Sequence, residues 1–354
     1  MKNPLVVVGI SHVDASTENV HPSLADNGIW IFNLPMAHEQ MAEHAVQQLD
    51  AKVRDNIHTA ITCSSADDSY ARYRSVIQSR ARPRDVLAAL GVNFASILKD
   101  HLPNVQNIFK AEAACASGLI ALELADMIAR THDAVVLIAA ADKSTAPIFL
   151  NLFYYIKAVA THPGQYYSPF DQQRAGFAMG EGAAMLAVTT ADQARIRGLS
   201  ILATVDSVKT QTIFTHPTSP SESGLLEQFI KNVLVLSSRP LVDFACWDAH
   251  ATATPHGDET EYEIFANIFN NTDTAISSFK GRVGHCMSAS SVIETVNAIK
   301  HLQKNKISPT HNLVRPIVND TRLITDVAQT TKKTFIKTSF GFGGRNGAAV
   351  ITVE

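Results

Sequence analysis

The sequence predicts an α/β protein made of two similar halves packed face to face. Two observations carry this expectation. Short apolar, β-rich runs alternate with helical patterns along the whole chain, which is how buried, largely parallel strands covered by helices are written. In addition, Gly176-Phe-Ala-Met-Gly-Glu-Gly-Ala-Ala-Met-Leu-Ala-Val188 matches Gly341-Phe-Gly-Gly-Arg-Asn-Gly-Ala-Ala-Val-Ile-Thr-Val353 without a gap. The shared Gly, Phe, Gly-Ala-Ala and final Val make each stretch a glycine-rich turn feeding a buried strand, and self-similarity of this kind marks a duplication.

The first half contributes strand patterns at 5–10, 59–63, 109–114, 134–141 and 183–188. The second contributes them at 201–208, 241–247, 275–279, 335–338 and 348–353. Helical patterns fall between them at 117–129, 223–236 and 290–303. In the first of these, Leu119, Ile120, Leu124, Met127 and Ile128 share one face. The halves join near Asp192–Gly198, a charged stretch that ends in glycine, so residues 1–192 and 198–354 form the two units.

Hydrophobic residues make up 46% and charged residues 18% of the 354, the balance of a soluble enzyme with an extensive core. A net charge of −3 gives no support for a nucleic-acid binder. The longest apolar run, Ala134 to Ala141, is too short to span a bilayer. The opening Met-Lys-Asn-Pro-Leu-Val-Val-Val-Gly leads directly into a strand pattern without a signal-peptide layout. Cys63, Cys115, Cys246 and Cys286 form no Cys-x-x-Cys pair, so free thiols and a reduced, cytoplasmic setting are expected.

Cys115 sits in Ala-Cys-Ala-Ser-Gly, between a strand pattern and an apolar helix. Unpaired N–H groups and the helix dipole at such a turn favour a thiolate, and the flanking Ala116, Ser117 and Gly118 leave room for an acyl group. A buried structural cysteine is the alternative. His250 follows a strand and precedes Thr252 and Thr254; His285 lies five residues beyond Lys280, behind a glycine. Two imidazoles in small-residue loops can donate hydrogen bonds to a carbonyl and polarise it. A zinc site built from Cys246, His250, His285 and Cys286 is the competing arrangement. It is disfavoured because Cys246 lies within an apolar strand, so no metal is expected.

Five words in order carry a resemblance to a known family. They are Ala-Cys-Ala-Ser-Gly (114–118), Pro-Phe-Asp-x-x-Arg-x-Gly-Phe-x-Met-Gly-Glu-Gly (169–182), His-x-Thr-x-Thr-Pro-x-Gly-Asp (250–258), Lys-Gly-x-x-Gly-His (280–285) and Ser-Phe-Gly-Phe-Gly-Gly-x-Asn (339–346). Together they resemble the β-ketoacyl-acyl carrier protein synthases, the decarboxylating ketosynthases of the thiolase superfamily. The resemblance implies a thiolase-like duplicated α/β fold, layered α/β/α/β/α with two mixed, largely parallel sheets. It implies that Cys115 accepts the acyl chain, while His250 and His285 hold a malonyl thioester carbonyl and stabilise the enolate left by carbon dioxide. Lys280 would pair with Glu294, and Thr252 and Thr254 would bond the phosphopantetheine arm. The N–H groups of Cys115 and Phe342 would form an oxyanion hole. The Phe342 ring would gate the acyl pocket, hinged by Gly341, Gly343 and Gly344. Asp171 and Arg174 would be structural.

The implied reaction is decarboxylative condensation with malonyl-acyl carrier protein, in fatty-acid or, more in keeping with this chain, type II polyketide synthesis. No bound cofactor is implied, since the substrates ride on the carrier's phosphopantetheine. A homodimer, or a heterodimer with a second ketosynthase-like chain, is implied as well. An acyltransferase forming an ester or amide on the same fold, and a non-catalytic chain-length subunit, stay open as alternatives. The chain departs from the family in several places. The region before Cys115 is several dozen residues shorter. Cys286-Met-Ser-Ala-Ser-Ser291 stands where the family tends to have Gly-Ala-Ala-Gly, Arg345 replaces a threonine, and Ala251 a glycine. Arg72, Arg74, Arg80, Arg82 and Arg84 are a candidate docking patch for an acidic carrier, with a plain solvated surface as the alternative.

Overall fold

The computed structural model describes residues 3–15, 23–25, 30–64, 93–161, 167–214 and 221–354. The first repeat contributes β1 (Leu5–Asp14), β2 (Ile57–Cys63), β3 (Asn107–Lys110), β4 (Val135–Lys143) and β5 (Met179–Thr190). The second contributes β6 (Ala203–Thr212), β7 (Phe244–Asp248), β8 (Ala275–Ser277), β9 (Thr334–Gly341) and β10 (Arg345–Val353). In space the first set runs β3-β2-β4-β5-β1 and the second β8-β7-β9-β10-β6, the same order twice. Pairing sense repeats too: β3–β2 and β2–β4 are parallel, as are β8–β7 and β7–β9, while the remaining neighbours in each set are antiparallel. The two self-similar segments lead into β5 and β10, which hold equivalent places.

Two expectations about the sheets are corrected. They are mixed, but parallel and antiparallel neighbours are equal in each set, so they are not largely parallel. A short return such as the turn from β9 to β10 can join only antiparallel partners. The two sheets are also not separate, because Leu5, Val6 and Val7 of β1 pair with Val205, Thr204 and Ala203 of β6. One continuous ladder therefore crosses from the first repeat to the second.

Seven helices matter for the layering: α1 (His38–Gln47), α2 (Asn93–His101), α3 (Ser117–His132), α4 (Pro147–Tyr155), α5 (Ser223–Ser237), α6 (Pro255–Ile268) and α7 (Ser290–Gln303). Helices α1 and α2 cover the outer face of the first set through Met41, Val46 and Leu98 against Val6, Val8 and Leu137. On the opposite outer face, α5 and α6 bring Phe229, Ile230 and Phe265 against Trp247, Ile336 and Val350. Helices α3 and α7 lie between, each packed on strands of both sets. Their core joins Leu119, Leu122, Val292 and Val296 to Ile138, Leu186, Phe335 and Ile351. The result is an α/β/α/β/α order. Nearly every residue of α7 is buried, as expected of a helix enclosed on all sides.

Local boundaries follow the sequence closely at α7, whose ends coincide with the predicted ones. At three strand patterns part of the run gives way to other structure. The run from Phe109 to Ala114 stops pairing at Lys110, because Ala111–Ala114 form the turn that presents Cys115, with Ala114 at φ 48°. The run from Leu241 begins as a 3-10 turn over Leu241–Asp243 after Pro240, and the run toward Phe279 ends early, Phe279 capping the short helix Lys280–Val283. Helix Ala191–Arg197 connects the repeats and ends at Gly198, φ 61°. Among the described residues, no helix is long and apolar enough to cross a membrane.

Candidate active site

The turn before α3 is held by its own polar groups. Ser117 Oγ accepts from the Ala113 N–H (2.8 Å) and donates to the Ala114 carbonyl (2.6 Å). Ser339 of β9 donates to the Cys115 carbonyl at 2.7 Å, tying the first repeat's turn to the second repeat's sheet. A side chain at Gly341 would put its Cβ 2.8 Å from the Ala113 carbonyl, so only glycine permits this approach. The loop after β7 is fixed by α6. Buried Glu261 accepts from the N–H groups of His250 (2.9 Å) and Ala251 (2.8 Å), and from Trp247 Nε1 (3.1 Å) and Thr338 Oγ1 (2.6 Å). Asp258, one turn earlier, accepts from the Ala253 and Phe170 N–H groups, with Arg174 Nε 3.5 Å away.

These scaffolds bring three reactive side chains together. Cys115 Sγ lies 2.9 Å from His285 Nε2, and the His250 ring stands edge-on to that of His285 at 5.7 Å. The sulfur and the two ring nitrogens lie within 4.8 Å of one another and line a cavity of about 340 Å³. Thr252 and Thr254 also line it, their hydroxyls 3.2 Å apart, together with Phe340, Gly341 and Phe342. Half-buried Phe342 stacks on Phe153 of α4 (6.1 Å), and Phe153 meets Phe177 edge-on (5.5 Å). Gly343 (φ 78°) and Gly344 (φ 69°) make the turn behind Phe342. A thiol and two imidazoles also form a donor set suited to a soft divalent metal, which would have to displace the thiol proton. Cys246 is not in that set; it packs in the apolar core between the layers.

Behind the histidines lies a buried charge cluster. Lys280 Nζ is 2.6 Å from Glu294 Oε1, and Lys337 Nζ is 2.5 Å from Glu294 Oε2 and 3.5 Å from Asp248 Oδ1. The Lys280–Glu294 pair was expected; Lys337 and Asp248 were not. A lysine inside Phe335-Ile336-Lys337-Thr338 was the available signal, since strand alternation must bury it. Glu261 was also missed, although Asp258, Glu261, Ile264, Phe265 and Ile268 share one helix face and so declare two buried carboxylates. Substituting Glu261 by alanine strands three donors, the N–H groups of His250 and Ala251 and the Thr338 hydroxyl, while Trp247 Nε1 keeps Thr338 Oγ1 at 2.8 Å. The variant is expected to lose about 3 kcal/mol or more of stability in urea unfolding.

The electrostatics reverse one expectation. Burial pushes the Cys115 thiol up to about 12, outweighing the pull of Lys280 toward the thiolate. The helix end does not leave a free thiolate, because desolvation penalises the charged form more than the nearby cation helps it. Both imidazoles are held well below their ordinary value, first by burial and then by Lys280, with Lys337 adding to it. The resting site is therefore a neutral thiol against two neutral imidazoles. Making the thiolate alone at neutral pH would cost roughly 7 kcal/mol, so proton transfer to His285 must accompany attack.

The other predicted residues fall as follows. Asp171 accepts from the Val314 and Arg315 N–H groups, and Arg174 bonds Glu259 and the Pro255 carbonyl, so both clamp loops. Arg345 is exposed and points to the Glu112 carbonyl (3.4 Å), away from the cavity lining. Arg72, Arg74, Arg80, Arg82 and Arg84 lie outside the described residues.

A family model described as beta-ketoacyl synthase, N-terminal domain, matches residues 108–194, and its C-terminal counterpart matches 202–314, together more than half of the chain. The chain is 28% identical over 263 residues to 3-oxoacyl-[acyl-carrier-protein] synthase 2 of Coxiella burnetii, covering 71% of this chain and 62% of that protein. It is 30% identical over 253 residues to the synthase 2 of Rhizobium meliloti, covering 67% and 59%. The chain thus spans less than two thirds of the length of these curated relatives. Among solved structures, a beta-ketoacyl synthase from Burkholderia phymatum superposes with TM-score 0.86 at 20% identity over the whole of both chains. A ketosynthase solved with its type II PKS acyl-carrier protein and a hexaketide does so with TM-score 0.86 at 19% identity, again over both chains.

Proposed function

Because this chain belongs to the beta-ketoacyl synthase family, we propose that it is a condensing enzyme acting on carrier-bound thioesters. The observation that carries this reading is the contact of Cys115 with His285, beside His250, in the wall of a cavity that Thr252 and Thr254 also line. In the first half-reaction, Cys115 attacks an acyl thioester while its proton passes to His285 Nε2 and then to the departing phosphopantetheine thiol. A malonyl thioester then enters. His250 and His285 donate to its carbonyl oxygen as carbon dioxide leaves, and the enolate attacks the acyl-cysteine. The N–H groups of Cys115 and Phe342 hold the developing oxyanion, and collapse returns the thiol with a proton taken up.

An acyl carrier protein is the proposed partner, delivering substrate past Phe342, with the arginines at 72–84 as the sequence's candidate docking patch. A polyketide-type system is preferred over housekeeping fatty-acid synthesis, in line with the fold's likeness to a ketosynthase solved with its type II PKS acyl-carrier protein. The decisive experiment is intact mass after incubation with acyl carrier thioesters, followed by a malonyl carrier chase. The expected result is an adduct absent from Cys115→Ala that leaves as a β-ketoacyl product two carbons longer. An adduct that survives the chase would overturn condensation in favour of acyl transfer to oxygen or nitrogen. No adduct with any donor would point to a non-catalytic subunit.

A further inference from the structure

His285 is contacted at both ring nitrogens. Nε2 faces Cys115 Sγ at 2.9 Å, and Nδ1 faces Ser290 Oγ at 2.9 Å. The ring cannot easily turn away, since Phe177 stands edge-on at 5.1 Å and His250 at 5.7 Å. Ser290 is buried at the first position of α7, in the stretch where this chain carries serines in place of the family's Gly-Ala-Ala-Gly. Its neighbour Ser288 donates to Asp142, and Ala289 N–H does so at 3.2 Å, which fixes the turn that aims Ser290 at the ring.

A neutral imidazole has one ring proton, so what stands at Nδ1 decides what Nε2 can do. The proposed reaction asks for opposite states at Nε2. It must be bare to take the Cys115 proton, and it must carry hydrogen to donate to the malonyl thioester carbonyl. A carboxylate or carbonyl at Nδ1 would only accept and would fix the first state. A backbone N–H would only donate and would fix the second. A hydroxyl does either by rotating about its C–O bond.

Resting on the ketosynthase reading, we propose that Ser290 is a positioning residue that lets His285 exchange tautomers between the half-reactions. During acylation Nδ1–H donates to Ser290 Oγ, and Nε2 accepts the thiol proton and passes it to the leaving thiol. Before condensation the ring exchanges a proton with solvent through the cavity, so that Nε2 holds the hydrogen and the Ser290 hydroxyl turns to donate to Nδ1. The charged and titratable groups around the ring are Cys115 before α3, His250 after β7, Lys280 on its short helix, Lys337 on β9, Glu294 on α7 and Asp142 on β4. None of these is in hydrogen-bond contact with Nδ1; among the described residues that contact is made by Ser290.

The test combines kinetics with nitrogen-15 NMR of the His285 ring. In the wild type, the Nδ1–H to Nε2–H ratio should change when Cys115 is capped with acetyl from a small thioester or, failing acylation, with iodoacetamide. One tautomer unchanged by capping would overturn the proposal, whether or not any variant folds. Ser290→Ala should slow both Cys115 acylation and malonyl decarboxylation about tenfold and shift the tautomer ratio. Ser290→Thr, which keeps the hydroxyl, should restore both. Unchanged rates and ratio in Ser290→Ala, or no rescue by threonine, would also overturn it. A wild type that is never acylated sinks the ketosynthase reading, while the iodoacetamide-capped spectrum still decides the role of Ser290.

Discussion

The Glu294→Leu variant is expected to lose about 3–5 kcal/mol of folding free energy, read as a fall in denaturant midpoint at unchanged slope. Glu294 is the shared anion of two buried cations, 2.6 Å from Lys280 and 2.5 Å from Lys337. Without it, Lys280 keeps no partner at ion-pair distance among the described residues, and Lys337 keeps the Asp248 carboxylate at 3.5 Å and the carbonyls of Asp248 and Ala249 at 3.3 Å. An uncompensated ammonium in this interior costs far more than the pair itself contributes. Adding Lys280→Met to Glu294→Leu removes the stranded charge and should recover most of the loss. The double variant should also raise the His250 and His285 values, because Lys280 is the foremost charge holding both down. The acid limb of its pH–rate profile should therefore move to higher pH. A midpoint as low in the double variant as in the single one would show that Glu294 acts through packing instead.

The second large effect is alkaline destabilisation. All four cysteines are free and buried, and burial pushes every thiol upward, Cys115 to about 12 and Cys63, Cys246 and Cys286 upward as well. The unfolded chain loses these protons near the ordinary thiol value, while the folded chain keeps them. The folded state thus binds more protons, so stability is full below the free-thiol value and falls as pH rises above it. Each thiol withdraws about 1.4 kcal/mol per pH unit in that window, and four together roughly 5. Urea unfolding at pH 7.5, 9 and 10 should show this slope, and Cys115→Ser should reduce it by about a quarter. If the serine variant left the slope unchanged, Cys115 would already be ionised in the folded protein.

The parts of the site that the sequence announced are those written in local patterns. Cys115 before an apolar helix, His250 and His285 in small-residue loops, and α7 with both its ends all stand where periodicity and turn chemistry put them. What stayed hidden depends on residues distant in the chain. The pairing of β1 with β6 joins positions some two hundred residues apart and leaves no local trace. The helix end next to Cys115 suggested a thiolate, yet the walls that desolvate the sulfur come from Phe153, Phe177 and Met287 on other segments. The hydroxyl of Ser290 looked like an ordinary helix start; only the fold sets it against an imidazole.

The two central helices begin at the same place. A side chain on Gly118, in the first turn of α3, would come within 2.5 Å of Val292 in the first turn of α7. Cys115 precedes one of these first turns and His285 the other, so the positive ends of two peptide dipoles converge on the sulfur and imidazole from opposite repeats. The side chains at that point are uncharged, and every one of them titrates somewhere. The backbone does not. The two matching repeats thus set one permanent field source each around a single spot, a contribution that opposes the desolvation penalty and persists at any pH at which the fold does.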